Sequence, residues 1–436
     1  MNTTSRIQHF VATLLLGVLV GVVAVPVHAA PQGIGPEQAA GTRVVTLDEA
    51  LELFGRNSAD LAVARSRVAE AAGALRQAGA FPNPTLTGTH EPLSDGDVDY
   101  SESYLNLSQR IEWPGLRSAR TREVEARASS ARAAFVADSA RLAFRVKEVY
   151  VRALFAAESE AELDRVAEVF RGGAARAQER LAAGDLSTYD RERIRAERLR
   201  YEARLAEVRL EAASARRELA LLIAPGSDAA QIAPEPLTGT PPQVGEQIAL
   251  ATAMERRPDL AAARAAVAAS VAGIDAARAE RLPDVTGTAG YKRQSDGLTG
   301  IFLGLAVPLP LWDRNGGAID VATARATGAS RQADLVRIQV RNDVLRTFER
   351  YRALVARAEL VASLGAAGGA PDLLDIARVA WNEGETELIQ LLDAAEAHLD
   401  ARLAAARLRT SLWTSYFDLE RAVGGFDAAL APENDR

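Results

Sequence analysis

Acid–base and metal chemistry require histidines, cysteines or paired carboxylates at workable spacing, and this chain is poor in all three. It has no cysteine, which excludes disulfides, thiolate metal sites, thiol nucleophiles and a lipid carried on an N-terminal cysteine. Of its four histidines, His9 and His28 fall in a leader segment, and His90 and His398 lie far apart in the chain. That distribution suits neither His-based catalysis nor a His metal cluster. There is no GxxxxGK[ST] loop, no nucleophile–base spacing and no acidic pair within a metal motif. Apart from Met1 the only methionine is Met254, so nothing binds soft metals tightly. The chain reads as a non-enzyme without cofactor. Its 51 Lys+Arg against 58 Asp+Glu, a net charge of −7, give no reason to expect nucleic acid as a partner.

What remains is architecture. The 436 residues are 48% hydrophobic but only 5% aromatic, so the apolar surface is mostly Ala, Leu and Val, which suits close helix–helix packing. Residues 1–29 read as a signal peptide: Arg6 is the positive region, Val11–Val25 the apolar run, and cleavage is expected after Ala29. That run is shorter than the roughly 20 residues of a spanning helix. The rest of the chain repeats itself at about 200 residues. Asp60-Leu61-Ala62 is echoed by Asp259-Leu260-Ala261, and Phe81-Pro82-Asn83 by Leu282-Pro283-Asp284. Leu181-Ala182-Ala183-Gly184 is answered by Trp381-Asn382-Glu383-Gly384. The expected organisation is a first repeat over 46–223, a Pro/Gly-rich linker over 224–245, a second repeat over 246–424 and a tail over 425–436.

Each repeat predicts a short helix, a long helix, an alternating stretch, a very long helix, a Gly turn and another long helix. Thr46-Leu47-Asp48-Glu49 reads as a capping box. From Leu142 through Val146, Val149, Ala153, Ala156, Glu160, Leu163, Ala167, Phe170, Ala174 and Ala177 to Leu181 the steps alternate four and three. Ile194 to Leu222 does the same, as do Val344, Phe348, Tyr351, Val355, Ala358 and Ala362. This is the seam of a left-handed coiled coil. Leu116 to Ala183, interrupted only by Gly172-Gly173, would span on the order of 100 Å as one helix.

Two stretches per repeat alternate instead: Thr85–Thr89 with Ser103–Gln109, and Asp284–Lys292 with Gly300–Pro308, joined by polar turn sequences. They predict two hairpins, each with an apolar face. Strands of about ten residues match a tilted crossing of a bilayer core, yet closed membrane barrels begin at about eight strands and open edges in lipid leave backbone groups unpaired. If the four strands span a membrane, several copies must share one barrel. The competing reading is a soluble periplasmic coiled-coil scaffold whose hairpins are merely ends.

The architecture resembles the TolC-like outer-membrane efflux factors over nearly the whole mature chain. Four local motifs resemble the branch that serves heavy-metal (cobalt-zinc-cadmium type) resistance-nodulation-division (RND) pumps: Phe81–Pro84, Leu107–Arg117, Leu181–Ser187 and Pro308–Asn315. The resemblance implies a mainly α chain of long antiparallel coiled-coil helices in two tandem repeats. Each repeat would lend a β-hairpin to a twelve-strand outer-membrane barrel shared by a homotrimer, with the helices reaching into the periplasm. It also implies a periplasmic adaptor and an inner-membrane RND transporter as partners. Docking to the adaptor would fall on Gly184, Asp185, Leu186 and Ser187 and on Gly384, Glu385, Thr386 and Glu387. The tip aperture would be lined at Asp393, with Gln390 where the family places a second carboxylate; for Trp381 both a gate role and helix packing stand open. The leading function is passive export of heavy-metal cations delivered by a pump; drug export and type I secretion are the alternatives within the same class.

Overall fold

The computed structural model describes residues 43–94, 99–228, 232–242, 245–363 and 372–425. The expected signal peptide and nearly all of the expected tail lie outside them. The first repeat comprises β1 (Arg43–Val45), α1 (Leu47–Asn57), α2 (Ala59–Gly79), β2 (Thr85–Ser94), β3 (Asp99–Ile111), α3 (Pro114–Ala183) and α4 (Thr188–Ile223). After β4 (Ile232–Pro234) the second comprises α5 (Glu246–Arg256), α6 (Pro258–Ala279), β5 (Val285–Gln294), β6 (Thr299–Ala306), α7 (Gly316–Ser363), α8 (Leu373–Glu383) and α9 (Leu388–Val423).

The strands form one antiparallel sheet in the order β2-β3-β5-β6. Each strand is continued by a helix, and the helices keep the same lateral order: α2 packs on α3, α3 on α6, and α6 on α7. Prolines mark every junction. Pro82, Pro114, Pro283 and Pro308 stand where strand and helix meet, because a residue without an N–H cannot extend a ladder. The outer edges of the wall, β2 and β6, have no partner strand among the described residues.

Long α3 runs unbroken for 70 residues, through Gly172-Gly173. Its predicted seam is its buried face: Leu142, Val146, Val149, Ala153, Leu163, Ala167, Phe170 and Ala177 are all buried. The facing seam of α4 supplies Ile194, Tyr201, Leu205, Ala212, Ala215 and Leu219, and Phe170 stacks on Tyr201 with centroids 4.9 Å apart. Glu160, the polar member of the seam, is paired with Arg209 (3.7 Å) and Arg216 (3.6 Å) on α4. The second repeat departs from the first. Its long helix is described as far as Ser363, and the extended backbone of Asp372, which caps α8, interrupts the path before Leu373, the segment with Gly365, Gly368, Gly369 and Pro371 lying outside the described residues. Its seam also fades, since Ala362 is exposed.

The repetition reaches single hydrogen bonds. Asn57 Nδ2 donates to the Ile223 carbonyl at the end of α4 (2.9 Å), and Arg257 Nη1 to the Ala422 carbonyl at the end of α9 (3.3 Å). Tyr150 OH donates to the Val45 and Glu235 carbonyls, and Tyr351 OH to those of Pro241 and Pro242, all at 2.9 Å. Burial pushes both phenols up to about 12, so they act as permanent donors. These bonds strap down the stretch that composition suggested was a plain linker. Part of it, β4, also pairs in parallel with β1. The Thr46 box closes only by half: Thr46 Oγ1 accepts from the Glu49 N–H at 3.1 Å, while the Glu49 carboxylate turns to Arg43.

Candidate functional site

Two surfaces could do work: the sheet and the end of the bundle farthest from it. In the sheet the register sorts side chains onto two faces, since successive residues alternate. Leu105 opposes Tyr291, Leu107 opposes Ala289, and these oppose Ile301 and Leu303; with Leu86 and Leu305 they make one apolar, exposed face. The other face is polar. Ser108 Oγ meets Thr288 Oγ1 at 3.1 Å, Lys292 Nζ lies 2.9 Å from Glu102, and Gln294 donates to Glu102 at 2.6 Å. Tyr104 also donates to Glu102, and Thr85, Thr87 and Thr89 share this face. Gly290 is needed there: a Cβ would come within 2.0 Å of Asn106 Oδ1 and 3.0 Å of the Leu105 carbonyl. A wall apolar outside and polar inside suits a barrel between lipid and water.

At the far end the two Gly turns are near copies. Gly184 has φ 87° and Gly384 φ 78°. In each, the glycine N–H returns to the carbonyl three residues back, Leu181 or Trp381, at 3.1 Å. The next N–H reaches Arg180 at 2.9 Å or Ala380 at 2.8 Å. This is the double bond pattern that closes a helix through a left-handed residue, a conformation that penalises any Cβ. Ser187 then caps α4 by accepting from the Asp190 N–H at 3.0 Å. Glu387 caps α9 in a closed box with Gln390. Asp185, Ser187, Glu385 and Glu387 are exposed, Thr386 is half-buried, and Leu186 packs on the core below. Arg180 ties the turns together, donating to the Trp381 carbonyl at 2.9 Å and lying over the Trp381 ring.

The three aperture candidates separate. Asp393 and Gln390 are exposed on α9. The Gln390 side chain accepts from the Glu387 N–H at 3.3 Å. Trp381 is 1% exposed, in the core shared by α3, α4, α8 and α9. It lies beside Gly173, where an added Cβ would meet its ring at an ordinary 3.7 Å.

Two features escaped the sequence reading. Tyr189 and Ile389, one residue into each helix after a Gly turn, are large, apolar and exposed; their equivalence at the repeat spacing was the available signal. Behind the tip, His398 on α9 is buried between two carboxylates, with Nδ1 2.9 Å from Asp372 and Nε2 3.3 Å from Glu162 on α3. Arg165 adds contacts to Asp372 (2.7 Å) and Asp375 (2.9 Å). Nothing in the sequence linked these residues, because their proximity exists only once α3, α8 and α9 pack.

For Asp372 burial alone would raise the carboxyl pKa, but the His398 charge, the Leu374 N–H, Arg165 and Arg402 together hold it below the usual range. A depressed carboxylate stabilises above its unfolded-state pKa, about 3.9, and that contribution is lost as pH falls through the depressed folded value. Protection of the α8 amides, taken as exchange relative to the intrinsic rate at each pH, should therefore hold at neutral pH and fall below about pH 4. In Asp372→Asn that protection should be lower at neutral pH and lose the acid step.

Comparison with known proteins agrees with this geometry. Residues 249–425 match the family described as Outer membrane efflux protein. The chain is 27% identical over 390 residues to the cobalt-zinc-cadmium resistance protein CzcC of Cupriavidus metallidurans, covering 89% of this chain and 92% of that one. The Campylobacter jejuni CmeC outer membrane channel shares the fold with a TM-score of 0.71 at 16% identity, over 93% of this chain and 96% of CmeC. CusC, described as undergoing conformational changes accompanying folding and transmembrane channel formation, does so at 0.66 and 20%, over 91% and 97%. Residues 249–425 thus carry the outer membrane efflux protein match, and the chain as a whole has the fold of the TolC-like channels: it is a non-enzymatic channel of tripartite efflux systems, with its sheet in the outer membrane and its helices in the periplasm.

Proposed function

We propose that three copies of this chain form an outer-membrane duct through which heavy-metal cations leave the cell, driven by an inner-membrane RND transporter and reached through a periplasmic adaptor. The similarity to a cobalt-zinc-cadmium resistance protein along 92% of that protein's length carries the cargo assignment. The trimer is supported by the wall itself. Four strands with two open edges satisfy their backbone groups in lipid only by pairing with other copies, and three copies make twelve strands. Metal is cargo here and passes through. The duct needs no catalytic group; an exposed Asp393 in each of three copies supplies a ring of negative charge that favours cations.

The cargo is tested by deleting the gene and challenging the cells with cobalt, zinc and cadmium. Lost tolerance restored by the wild-type gene is the expected result; unchanged metal tolerance with lost tolerance to dyes or antibiotics would overturn it. For the ring, Asp393→Ala should move the reversal potential in asymmetric salt toward zero, whereas an unchanged potential would remove Asp393 from the aperture.

Docking is assigned to the two Gly turns with Asp185, Leu186, Ser187, Glu385, Thr386 and Glu387, to which the exposed Tyr189 and Ile389 are added. Proline fixes φ near −65°, which is incompatible with the values of +87° and +78° at these turns. The double variant Gly184→Pro, Gly384→Pro should therefore lose capture of the adaptor while the trimer survives, because neither turn touches the sheet. Adaptor binding at wild-type strength by the double variant would move docking elsewhere.

A further inference from the structure

The most exposed tryptophan of the chain, Trp312 at 93%, stands just past the end of β6, in company with exposed Leu309 and Leu311. Isolated exposed apolar residues need no explanation, but a contiguous group does. This group continues a row already assigned to lipid. Ile301, Leu303 and Leu305 lie on the apolar face of β6, and beyond the last paired residue, Ala306, the exposed Val307, Leu309 and Leu311 follow in the chain.

The segment is built to project. Pro308 and Pro310 have no N–H, so they leave no donor unmet where the ladder ends, and the Leu311 N–H returns to the Leu309 carbonyl at 2.9 Å. Its far side is clamped at Asn315, the one described non-glycine residue with positive φ (58°). Asn315 Nδ2 donates to the Ala277 carbonyl at 2.8 Å and to Glu280 at 3.2 Å, both at the end of α6. Asp313 accepts from the Asn315 N–H at 2.8 Å. Charge begins at once with Asp313 and Arg314, and at the neighbouring junction Arg110 donates to Asp284 at 2.6 Å. An indole between an aliphatic row and a charged fringe has the composition of a membrane–water boundary. The first repeat has a shorter version, with Ile111 and Trp113 exposed but no Leu-x-Leu run. Its corresponding junction, Ile111-Glu112-Trp113, holds a nearly buried carboxylate, Glu112, paired with Arg120 at 2.6 Å.

We propose that the Pro308–Trp312 segment is a membrane anchor, seating Leu309, Leu311 and Trp312 in the headgroup–acyl boundary of the inner leaflet of the outer membrane. The leaflet follows from the helices, which continue these strand ends into the periplasm. The anchor rests on the reading of the sheet as a membrane wall. A neighbouring copy bound to the β6 edge would engage the backbone of the strand, leaving this face to lipid.

Trimers of the mature chain would be reconstituted in phosphatidylethanolamine–phosphatidylglycerol vesicles containing lipid brominated either near the headgroup or near the bilayer centre. The Trp312 emission is the difference between the native protein and Trp312→Phe. The expected result is a larger loss of that emission with shallow than with deep bromine. No loss with either lipid would overturn the anchor. Acrylamide then tells a water-exposed loop, which it quenches, from one covered by a second copy, which it does not. Leu303→Trp in the Trp312→Phe background separates the two failures. Quenching of that residue by deep bromine upholds the wall whatever Trp312 does, and its absence sinks wall and anchor together.

Discussion

Leu303→Arg should prevent stable assembly in the outer membrane, whereas Thr288→Arg, only two positions away across the β5–β6 pair, should leave the protein assembled. Leu303 is 77% exposed on the apolar face, opposite Ala289. Thr288 lies on the polar face, bonded through its hydroxyl to Ser108. A cation on the lipid face near the midplane of a barrel costs about 3 kcal/mol, and a trimer would bear that cost once per copy. A cation on the water-filled side costs little and alters the lumen charge. The measurement is the yield of heat-modifiable trimer from outer membranes, with conductance as a second readout for Thr288→Arg. Equal yields of the two variants would mean that the faces are assigned the wrong way round or that the sheet meets no lipid.

Gly424→Val should be the most destabilising single change in the helical part. Gly424 closes α9 at φ +91°, its N–H reaching the Glu420 (3.0 Å) and Arg421 (3.1 Å) carbonyls. A side chain there meets two penalties. The left-handed conformation costs a non-glycine residue roughly 1–2 kcal/mol. An added Cβ would also lie 3.0 Å from Arg257 Cα and 3.1 Å from the Arg256 carbonyl carbon and oxygen, backbone atoms that cannot swing aside, and such overpacking costs about 1–3 kcal/mol. Movement of that backbone would disturb Arg257, whose buried guanidinium bonds Asp259 at 3.0 Å, Asp343 at 2.9 Å and the Ala422 carbonyl. A loss of about 3 kcal/mol or more is expected in thermal denaturation of the detergent-solubilised protein. Gly184→Val should cost less, since nothing lies within 4 Å of an added Cβ there and only the backbone term remains.

The coiled-coil part was legible because its signal is periodic and local. A run of four-and-three steps from Leu142 to Leu181 is sufficient to bury one stripe, whatever the partner. The hairpins were legible for the same reason, with a period of two. The Gly turns were legible through repetition: two glycines at the repeat spacing, each ending a helix, came out with φ values within ten degrees of each other. Less legible was anything set by asymmetry between the repeats. The first long helix is continuous and the second is not, and only the second strand-to-helix junction carries an exposed Leu-x-Leu-Trp.

By itself the sequence determined that this chain is two copies of one plan, mostly long helices with a pair of alternating strands each, and that it carries no enzyme's chemistry. These are properties of composition and period, which survive any arrangement of the elements. Only the tertiary structure decided the lateral order β2-β3-β5-β6, and with it which residues face one another across the wall. It likewise decided that Trp381 is buried in the helical core, that the Pro/Gly-rich stretch is strapped down by Tyr150 and Tyr351, and that His398 stands between Glu162 and Asp372. Each of those depends on contacts between residues far apart in the chain, and such contacts leave no trace in local spacing. They arise only when seams that are individually readable choose their partners, a choice made by the packing of the whole.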